Sequence, residues 1–345
     1  MAIIDKPTDY FETVTYTAST SSSYSETSLQ FQPDFIWLKN RDTTYPHHLF
    51  DAVRGSSLGL SSNSTNAEQT RGSSYLTSFD SNGFTTGNAI ASDSADGVVA
   101  WNWKAGTSFT NDASATGIGS IDSTGSVNTT SGFSIISYTG TGSAATVAHG
   151  LGVTPKVVMV KNLENATDWG VYNSNLTNAN YLLYINLTHA ETNQSSNFGT
   201  APTSSVFTVN TNNSTNQSGL NHIAYCFNDV QGYSKFGSYV GNGSTDGTFV
   251  YTGFKPAFVM CKRTDAVRNW VIVDNKRPNY NPTNEWLYPN ASDAGYSQTG
   301  IDLLSNGFKT LITSPTVNAS GGSYIFMCFA ENPFTTSTGV PTTAR

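Results

Sequence analysis

The sequence contains three copies of one pattern, and this internal repeat constrains the fold more than any other feature of the chain. In each copy a lysine stands six residues after a proline, and a tyrosine stands seventeen residues before that proline. An acidic or amide residue follows the lysine by twelve positions, a phenylalanine comes 33 or 34 residues later, and an aromatic residue closes the copy. The framework residues are Tyr16, Pro33, Lys39, Asp51, Phe84 and Trp103; Tyr138, Pro155, Lys161, Asn173, Phe207 and Phe227; and Tyr239, Pro256, Lys262, Asp274, Phe308 and Phe329. Spacings this constant predict three equivalent domains.

The apolar residues within each copy are arranged as in β-strands. Continuous apolar blocks, such as those that follow Pro33, Pro155 and Pro256, are bounded by turn-forming residues, and no segment has a convincing helical period. Aromatic residues make up 12% of the chain, which is enough to fill several cores. We therefore predict an all-β protein made of three tandem β-sandwich units of about 95 residues each.

The repeat also predicts the domain boundaries. The first β-sandwich unit, with an N-terminal arm, is expected over 1–104, and a Ser/Thr/Gly-rich linker or extra hairpin over 105–132. The second unit is expected over 133–232, the third over 233–334, and a C-terminal tail over 335–345. Because only a short segment joins the second and third units, we expect them to form a rigid pair and the first unit to have more freedom.

The charge of the chain excludes several classes of partner. Only 12% of the residues are charged and the net charge is −7, whereas binding through phosphates needs clustered Lys and Arg. No apolar run approaches the length of a membrane span, and the first residues lack a signal-peptide pattern. We therefore predict no nucleic-acid binding, no membrane insertion and no Sec export. Three cysteines do not make a disulfide framework, and we expect them to be small buried apolar side chains.

One local cluster contains residue types that bind metals. His47 and His48 lie near Asp42 and Asp51 in the sequence, and zinc requires three or four ligands in a fixed geometry. The second and third copies have no histidine at the matching positions. We therefore predict no metal site and assign the two histidines to a loop or strand edge.

Acidic residues of the third copy are the candidates for glycan cleavage, which needs two carboxylates facing a sugar. Asp274 has counterparts at Asp51 and Asn173, which indicates a structural role shared by all copies. The chain contains neither a GxSxG nucleophile elbow nor a GxxxxGK[ST] phosphate loop. We predict that the protein is not an enzyme and has no catalytic or cofactor-binding residues. The acidic candidates are Asp265, Asp274, Glu285, Asp293 and Asp302.

Several segments resemble a repeat found in virion proteins of tailed phages, particularly marine phages. The second copy carries GFSIISYTGTGSAATVAHGLGVTPKVVMVKN over 132–162, and the first carries FQPDFIWLKNRD over 31–42 and SFDSNGF over 78–84. The resemblance covers nearly the whole chain. It implies a structural or fibre-like component on the exterior of the particle, assembled as a homotrimer, and it offers no catalytic residues.

These observations lead to one prediction of function with two alternatives. We expect a non-enzymatic phage virion structural protein, a compact fibre or knob-like appendage that contacts other subunits or adheres to a host surface glycan or protein. The first alternative is a capsid decoration protein, and the second is a glycan-cleaving enzyme similar to tailspikes.

The residues that contact a partner are expected in the loops that differ most between copies. These loops cover 52–83, 174–206 and 275–307, and recognition commonly depends on variable loops that a rigid scaffold supports. The third loop is the richest in aromatic residues, which suit a sugar ring or a protein surface. The candidate contact residues are Tyr280, Trp286, Tyr288 and Tyr296. The alternative is that these rings only cap the end of the sandwich.

Overall fold

The computed structural model describes residues 3–93, 95–277 and 281–342. Antiparallel β-sheets dominate this part of the chain, as predicted, and they stack as sandwiches. The helical elements of the described residues are single turns: 3-10 turns at Pro7–Asp9 and Gly72–Ser74, α1 at Ala113–Thr116 and α2 at Asn213–Asn216. The all-β fold class is confirmed.

The first unit contains a four-stranded sheet in the order β1-β9-β3-β4 and a three-stranded sheet in the order β2-β8-β7. A short β5-β6 pair lies in the loop after β4. The strands are β1 (Phe11–Ala18), β2 (Tyr24–Glu26), β3 (Phe35–Asn40), β4 (His48–Asp51), β5 (Leu58–Gly59), β6 (Gln69–Thr70), β7 (Leu76–Asp80), β8 (Gly83–Thr86) and β9 (Asp96–Trp103).

The segment 105–132, expected as a linker or an extra hairpin, contains two strands, β10 (Thr107–Asn111) and β11 (Ser123–Asn128). They extend the main sheet of the second unit, whose order is β10-β11-β12-β19-β14-β15-β16-β17, while β13 pairs with β18. The remaining strands are β12 (Phe133–Thr139), β13 (Ala145–Ala148), β14 (Val157–Asn162), β15 (Gly170–Asn173), β16 (Tyr181–Tyr184), β17 (Thr192–Asn193), β18 (Val206–Val209) and β19 (Asn221–Phe227).

The third unit has two four-stranded sheets, ordered β20-β27-β22-β23 and β21-β26-β25-β24. Its strands are β20 (Ser234–Val240), β21 (Phe249–Tyr251), β22 (Phe254–Arg263), β23 (Val271–Asp274), β24 (Thr283–Trp286), β25 (Tyr296–Leu304), β26 (Gly307–Thr310) and β27 (Ser323–Pro333).

The proline-led strand holds the same place in each unit. In the main sheet of every unit, the last strand lies between the first strand and the proline-led strand. The other neighbour of the proline-led strand in the sheet is the strand that comes next in the sequence. The closing aromatic residue is also in the same register each time, because Trp103 lies opposite Phe35, Phe227 opposite Val157 and Phe329 opposite Phe258.

Each of these sheets is covered on both faces, which explains why its central strands are continuously apolar. The outer face packs on the small sheet of the same unit and forms that unit's own core. The inner faces of all three sheets meet in one further core that contains residues of every unit. At its centre the ring of Phe329 lies 5.5 Å from that of Trp103 and 6.0 Å from that of Phe227, measured between centroids.

The shared core corrects our expectation that the first unit moves more freely than the other two. Phe11 of the first unit stacks on Phe329 of the third at 5.0 Å, and Phe35 lies 4.5 Å from Tyr225 of the second. All four side chains are at most 1% exposed. The short connection between the second and third units had suggested a closer pair, but the shared core contains buried aromatic side chains of all three units.

Candidate functional site

The aromatic residues expected to contact a partner are in different environments. Trp286 is 2% exposed and belongs to the core of the third unit, so the prediction that it presents its ring to a partner is wrong. Tyr296 is 51% exposed, and its ring lies 6.3 Å from that of half-buried Tyr288. Tyr280 lies outside the described residues. Of the three candidates that the structure describes, Tyr288 and Tyr296 reach the surface.

The variable loops make an unexpected set of contacts, because each one crosses to another unit. The loop 52–83 of the first unit reaches the second unit, where the indole N–H of Trp169 donates to the carbonyl of Ser61 at 3.0 Å. The backbone N–H of Glu68 donates to Leu163 at 2.8 Å. Recognition was expected of this loop, and a part of it instead holds two units together.

The loop of the second unit makes the matching contacts with the third unit. The indole N–H of Trp270 donates to the carbonyl of Tyr184 at 2.9 Å. The backbone N–H of Arg268 donates to Thr188 at 2.9 Å. Trp270 stands four residues before Asp274, as Trp169 stands four residues before Asn173, so the two indoles occupy equivalent positions.

The loop of the third unit returns to the first and closes the ring of contacts. His47, which stands four residues before Asp51, faces the carbonyl of Tyr288 through Nε2 at 3.1 Å. The backbone N–H of Tyr45 donates to Ser292 at 2.8 Å. The three units therefore interlock in a cycle in which the first contacts the second, the second the third, and the third the first.

The framework lysines lie at these three junctions. Lys39, Lys161 and Lys262 are 0% exposed. Their Nζ atoms donate across the junctions to the carbonyls of Ser292 at 3.3 Å, Thr65 at 2.8 Å and Thr188 at 3.3 Å, respectively. In the described part of the chain none of the three forms an ion pair. In the sequence, each of these lysines follows directly on a continuous apolar block. A lysine at such a position indicates a buried ammonium group, and a buried ammonium group requires hydrogen-bond acceptors from neighbouring segments.

Burial lowers the pKa of all three ammonium groups, since the charged form loses its hydration. The pKa of Lys39 is lowered to about 8, that of Lys161 to about 8, and that of Lys262 to about 7. The junctions therefore contain groups that change charge near neutral pH.

Two junctions also contain a buried carboxylate that is fully paired. Asp51 accepts from Nε of Arg54 at 2.6 Å and from the hydroxyl of Tyr225 in the second unit at 2.7 Å. Asp274 accepts from Nε of Arg277 at 2.6 Å and from the indole of Trp101 in the first unit at 3.0 Å. Both carboxylates are 0% exposed.

The third junction replaces this arrangement with an amide and two apolar residues. Asn173 and Leu176 stand where the other units have the Asp–Arg pair, and Met327 stands where they have Tyr225 and Trp101. Asn173, Met327 and Trp270 line a small apolar cavity between the second and third units. The acidic residue, its arginine and the donor across the junction are thus replaced together.

The histidine cluster is used in packing. The indole N–H of Trp37 donates to Nδ1 of His47 at 2.8 Å, so Nε2 carries the proton and donates to Tyr288. His48 is 1% exposed between the rings of Tyr45 and Tyr75, and burial lowers its pKa to about 3. Among the described residues no three His, Cys, Asp or Glu side chains are grouped as a metal site would require.

The acidic candidates of the third unit do not converge on a cleft. Asp265 pairs with Arg263 at 2.6 Å, Glu285 contacts Arg41 at 3.4 Å, and Asp302 accepts from the amide of Asn281. Asp274 is buried in the junction described above. Asp293 follows Ser292 in the loop that crosses to the first unit.

Cys226, Cys261 and Cys328 are buried free thiols, as predicted. None of the helices in the described part of the chain has the length and hydrophobicity that crossing a bilayer requires.

Comparison with known proteins identifies one family. Its profile matches residues 6–333, and the family is described as a domain of unknown function (DUF7483). No curated protein matches the sequence.

Proposed function

The chain belongs to the DUF7483 family, and we propose that it is a non-enzymatic structural protein on the exterior of a phage particle, a compact knob that contacts other virion proteins or a host surface. The observation that carries this proposal is the closed cycle of three interlocked units around one aromatic core. Such a body resists deformation, because no unit can separate without breaking contacts at two junctions.

The use of the buried polar groups supports a structural role. Enzyme sites leave titratable groups facing a cleft where a substrate can reach them. Here Asp51 and Asp274 are enclosed in ion pairs, and the framework lysines donate to main-chain carbonyls. The buried ion pairs of Asp51 and Asp274 thus lie at the junctions between units, away from any substrate.

The composition of the surface fits the same proposal. Exposed strand and loop positions are mainly Ser, Thr, Asn and Gly, which form hydrogen bonds whose strength depends little on salt. The pair Tyr288 and Tyr296 offers a small aromatic surface for a protein or a glycan.

The proposal is tested on purified particles of the virus that encodes the chain. An antibody raised against the full chain should label intact particles, and electron microscopy should place the label on the outside. Label on the tail supports the appendage, and label over the shell supports the alternative of a capsid decoration protein. A chain abundant in infected cells and absent from purified particles contradicts both.

The glycan-cleaving alternative has a separate test. Release of reducing sugar ends from host surface polysaccharide by the purified chain would establish it. The matched control is the double variant Asp265→Asn and Glu285→Gln, which removes two acidic groups of the third unit that are not fully buried.

A further inference from the structure

One flank of the third unit exposes apolar side chains that have no counterpart in the other two units. Val240 at the end of β20 is 59% exposed, and Phe249 and Tyr251 on β21 are 45% and 62% exposed. Val240 and Phe249 are adjacent, because the hydroxyl of Thr248 donates to the carbonyl of Val240 at 2.8 Å. We call Val240, Phe249 and Tyr251 the flank patch.

Strand pairing identifies the equivalent positions in the other units. Val250 lies opposite Phe308, as Val147 lies opposite Phe207 and Glu26 lies opposite Phe84. The flank patch therefore corresponds to Thr17, Ser25 and Thr27 in the first unit and to Thr139, Thr146 and Ala148 in the second. At all six equivalent positions of the first and second units the side chain is small: Ser, Thr or Ala.

The second unit shows what can cover this flank. There β11 pairs with β12, and the backbone N–H groups of Ser120 and Ile121 donate to the carbonyl of Thr146 at 2.8 and 3.1 Å. The ring of Phe109 lies beside Gly150, within 2.8 Å of the place where a Cβ would stand. The chain's own hairpin thus pairs with β12 and bonds to β13 in the second unit, and these two strands correspond to β20 and β21 of the third.

The third unit has an open groove on this flank. It has a volume of about 370 Å³, and its lining includes Tyr251, Gly253 and Lys235 together with Phe334 and Thr335 of the C-terminal segment. The edge of β20 is partly closed to strand pairing, because Asp229 accepts from the backbone N–H of Phe236 at 2.7 Å. The flank therefore offers mainly side-chain surface to a partner.

We propose that the flank patch is the contact between two copies of this chain, related by a two-fold axis that places each patch against its equivalent. An apolar patch is complementary to itself, so a two-fold contact needs no second kind of surface. Burial of exposed Val, Phe and Tyr side chains drives such association.

The charges around the patch favour a second copy over a charged partner. The chain carries −7 overall, which opposes contact between most parts of two copies. Beside the patch, however, Asp229 pairs with Lys235 at 2.9 Å and Asp246 pairs with Lys309. The acidic groups next to the patch are neutralised within the chain, so two patches meet without repulsion.

The test is the mass of the full chain in solution, measured by sedimentation equilibrium across a wide range of concentration. Wild type should show a reversible transition between 36.9 kDa and twice that mass. The triple variant Val240→Thr, Phe249→Ser and Tyr251→Thr introduces the residues that the first unit carries at these three positions. It should weaken the dimer by more than about tenfold and keep the wild-type melting temperature.

The matched control is Val267→Thr, because Val267 is 56% exposed on another surface of the same unit. This variant should dimerise like wild type. A wild-type chain that stays monomeric at every concentration overturns the proposal and assigns the patch to a different protein. A trimer, or a dimer that survives the triple variant unchanged, also overturns it.

Discussion

The hydroxyl of Tyr225 donates a 2.7 Å hydrogen bond to the buried carboxylate of Asp51, and this bond joins the last strand of the second unit to the fourth strand of the first. Asp51 also pairs with Arg54 of its own unit, so the tyrosine supplies the contact that crosses the junction. Both partners of the bond are 0% exposed. The interaction adds a buried side-chain hydrogen bond to the main-chain contacts that join these two units.

Replacing Tyr225 with Phe removes this donor and keeps the ring. Because hydrogen bonds to buried charged groups contribute about 1.5–3 kcal/mol, we expect the free energy of unfolding to fall by that amount. Urea denaturation measures the change, and Tyr296→Phe, which alters a half-exposed ring, should leave the midpoint unchanged. An unchanged midpoint in Tyr225→Phe would show that the donors of Val53 and Arg54 satisfy Asp51 without the tyrosine.

The shared core predicts that the three units unfold together. Phe258 is 1% exposed, and its ring contacts those of Trp101 and Trp103 of the first unit. Phe258→Ala should lower the free energy of unfolding by about 3–5 kcal/mol and move one cooperative transition. Calorimetry that resolves a separate early transition for the third unit would contradict this coupling.

Trp286 should behave as a core residue. Its side chain, at the end of β24, is 2% exposed in the core of the third unit, so Trp286→Ala should cost about 3–5 kcal/mol through loss of buried surface and creation of a cavity. Thermal melting of the variant checks the cost. The comparison is Tyr296→Ala, which removes a half-exposed ring and should melt close to wild type. Early melting of Tyr296→Ala instead would mean that this ring is part of the fold.

The junction lysines predict that stability rises with pH above neutrality. The folded pKa of Lys262, about 7, is below the ordinary value of 10.5, so between these values the unfolded chain binds more protons than the folded one. Raising the pH from 7 to 9.5 should therefore increase the free energy of unfolding, with a contribution on the order of 2–3 kcal/mol from Lys262.

The control for this prediction is Lys262→Met, whose free energy of unfolding should increase less than that of wild type between pH 7 and 9.5. Lys156→Met, which alters a lysine that is not fully enclosed, should keep the full rise. Stability that falls steadily from pH 7 to 9.5 in the wild type would mean that the three ammonium groups are better stabilised in the fold than burial allows.

The buried His48 predicts that stability also decreases on the acid side of neutrality. Burial lowers its pKa from 6.5 to about 3, so the unfolded chain takes up the proton first and stability falls as the pH drops below 6.5. Lowering the pH from 7.5 to 5 should decrease the free energy of unfolding of His48→Phe less than that of wild type, by about 2 kcal/mol. Comparing the two pH values within each protein cancels the packing cost of the larger ring. Equal losses in both proteins would assign the acid sensitivity to other groups, and His189→Phe serves as the control on an exposed histidine.

The sequence by itself determined the strands and their local packing. Constant spacing located the proline-led and closing strands of all three units, and continuous apolar blocks identified strands that are buried on both faces. The positions of Phe35, Phe258 and the three cysteines in buried strands followed from these patterns. Such features depend on residues close together in the chain, where the two-residue period of a strand acts directly.

The tertiary structure alone decided how the units combine. Nothing in the spacing indicates that the loop 275–307 returns to the first unit, because that contact joins residues such as Lys39 and Ser292 that lie far apart in the chain. For the same reason Trp286, which composition marked as a contact residue, is in a core, whereas Val240, Phe249 and Tyr251 reach the surface. An apolar residue in a strand faces the core or the solvent according to which sheet covers it, and that covering is set by packing between distant segments.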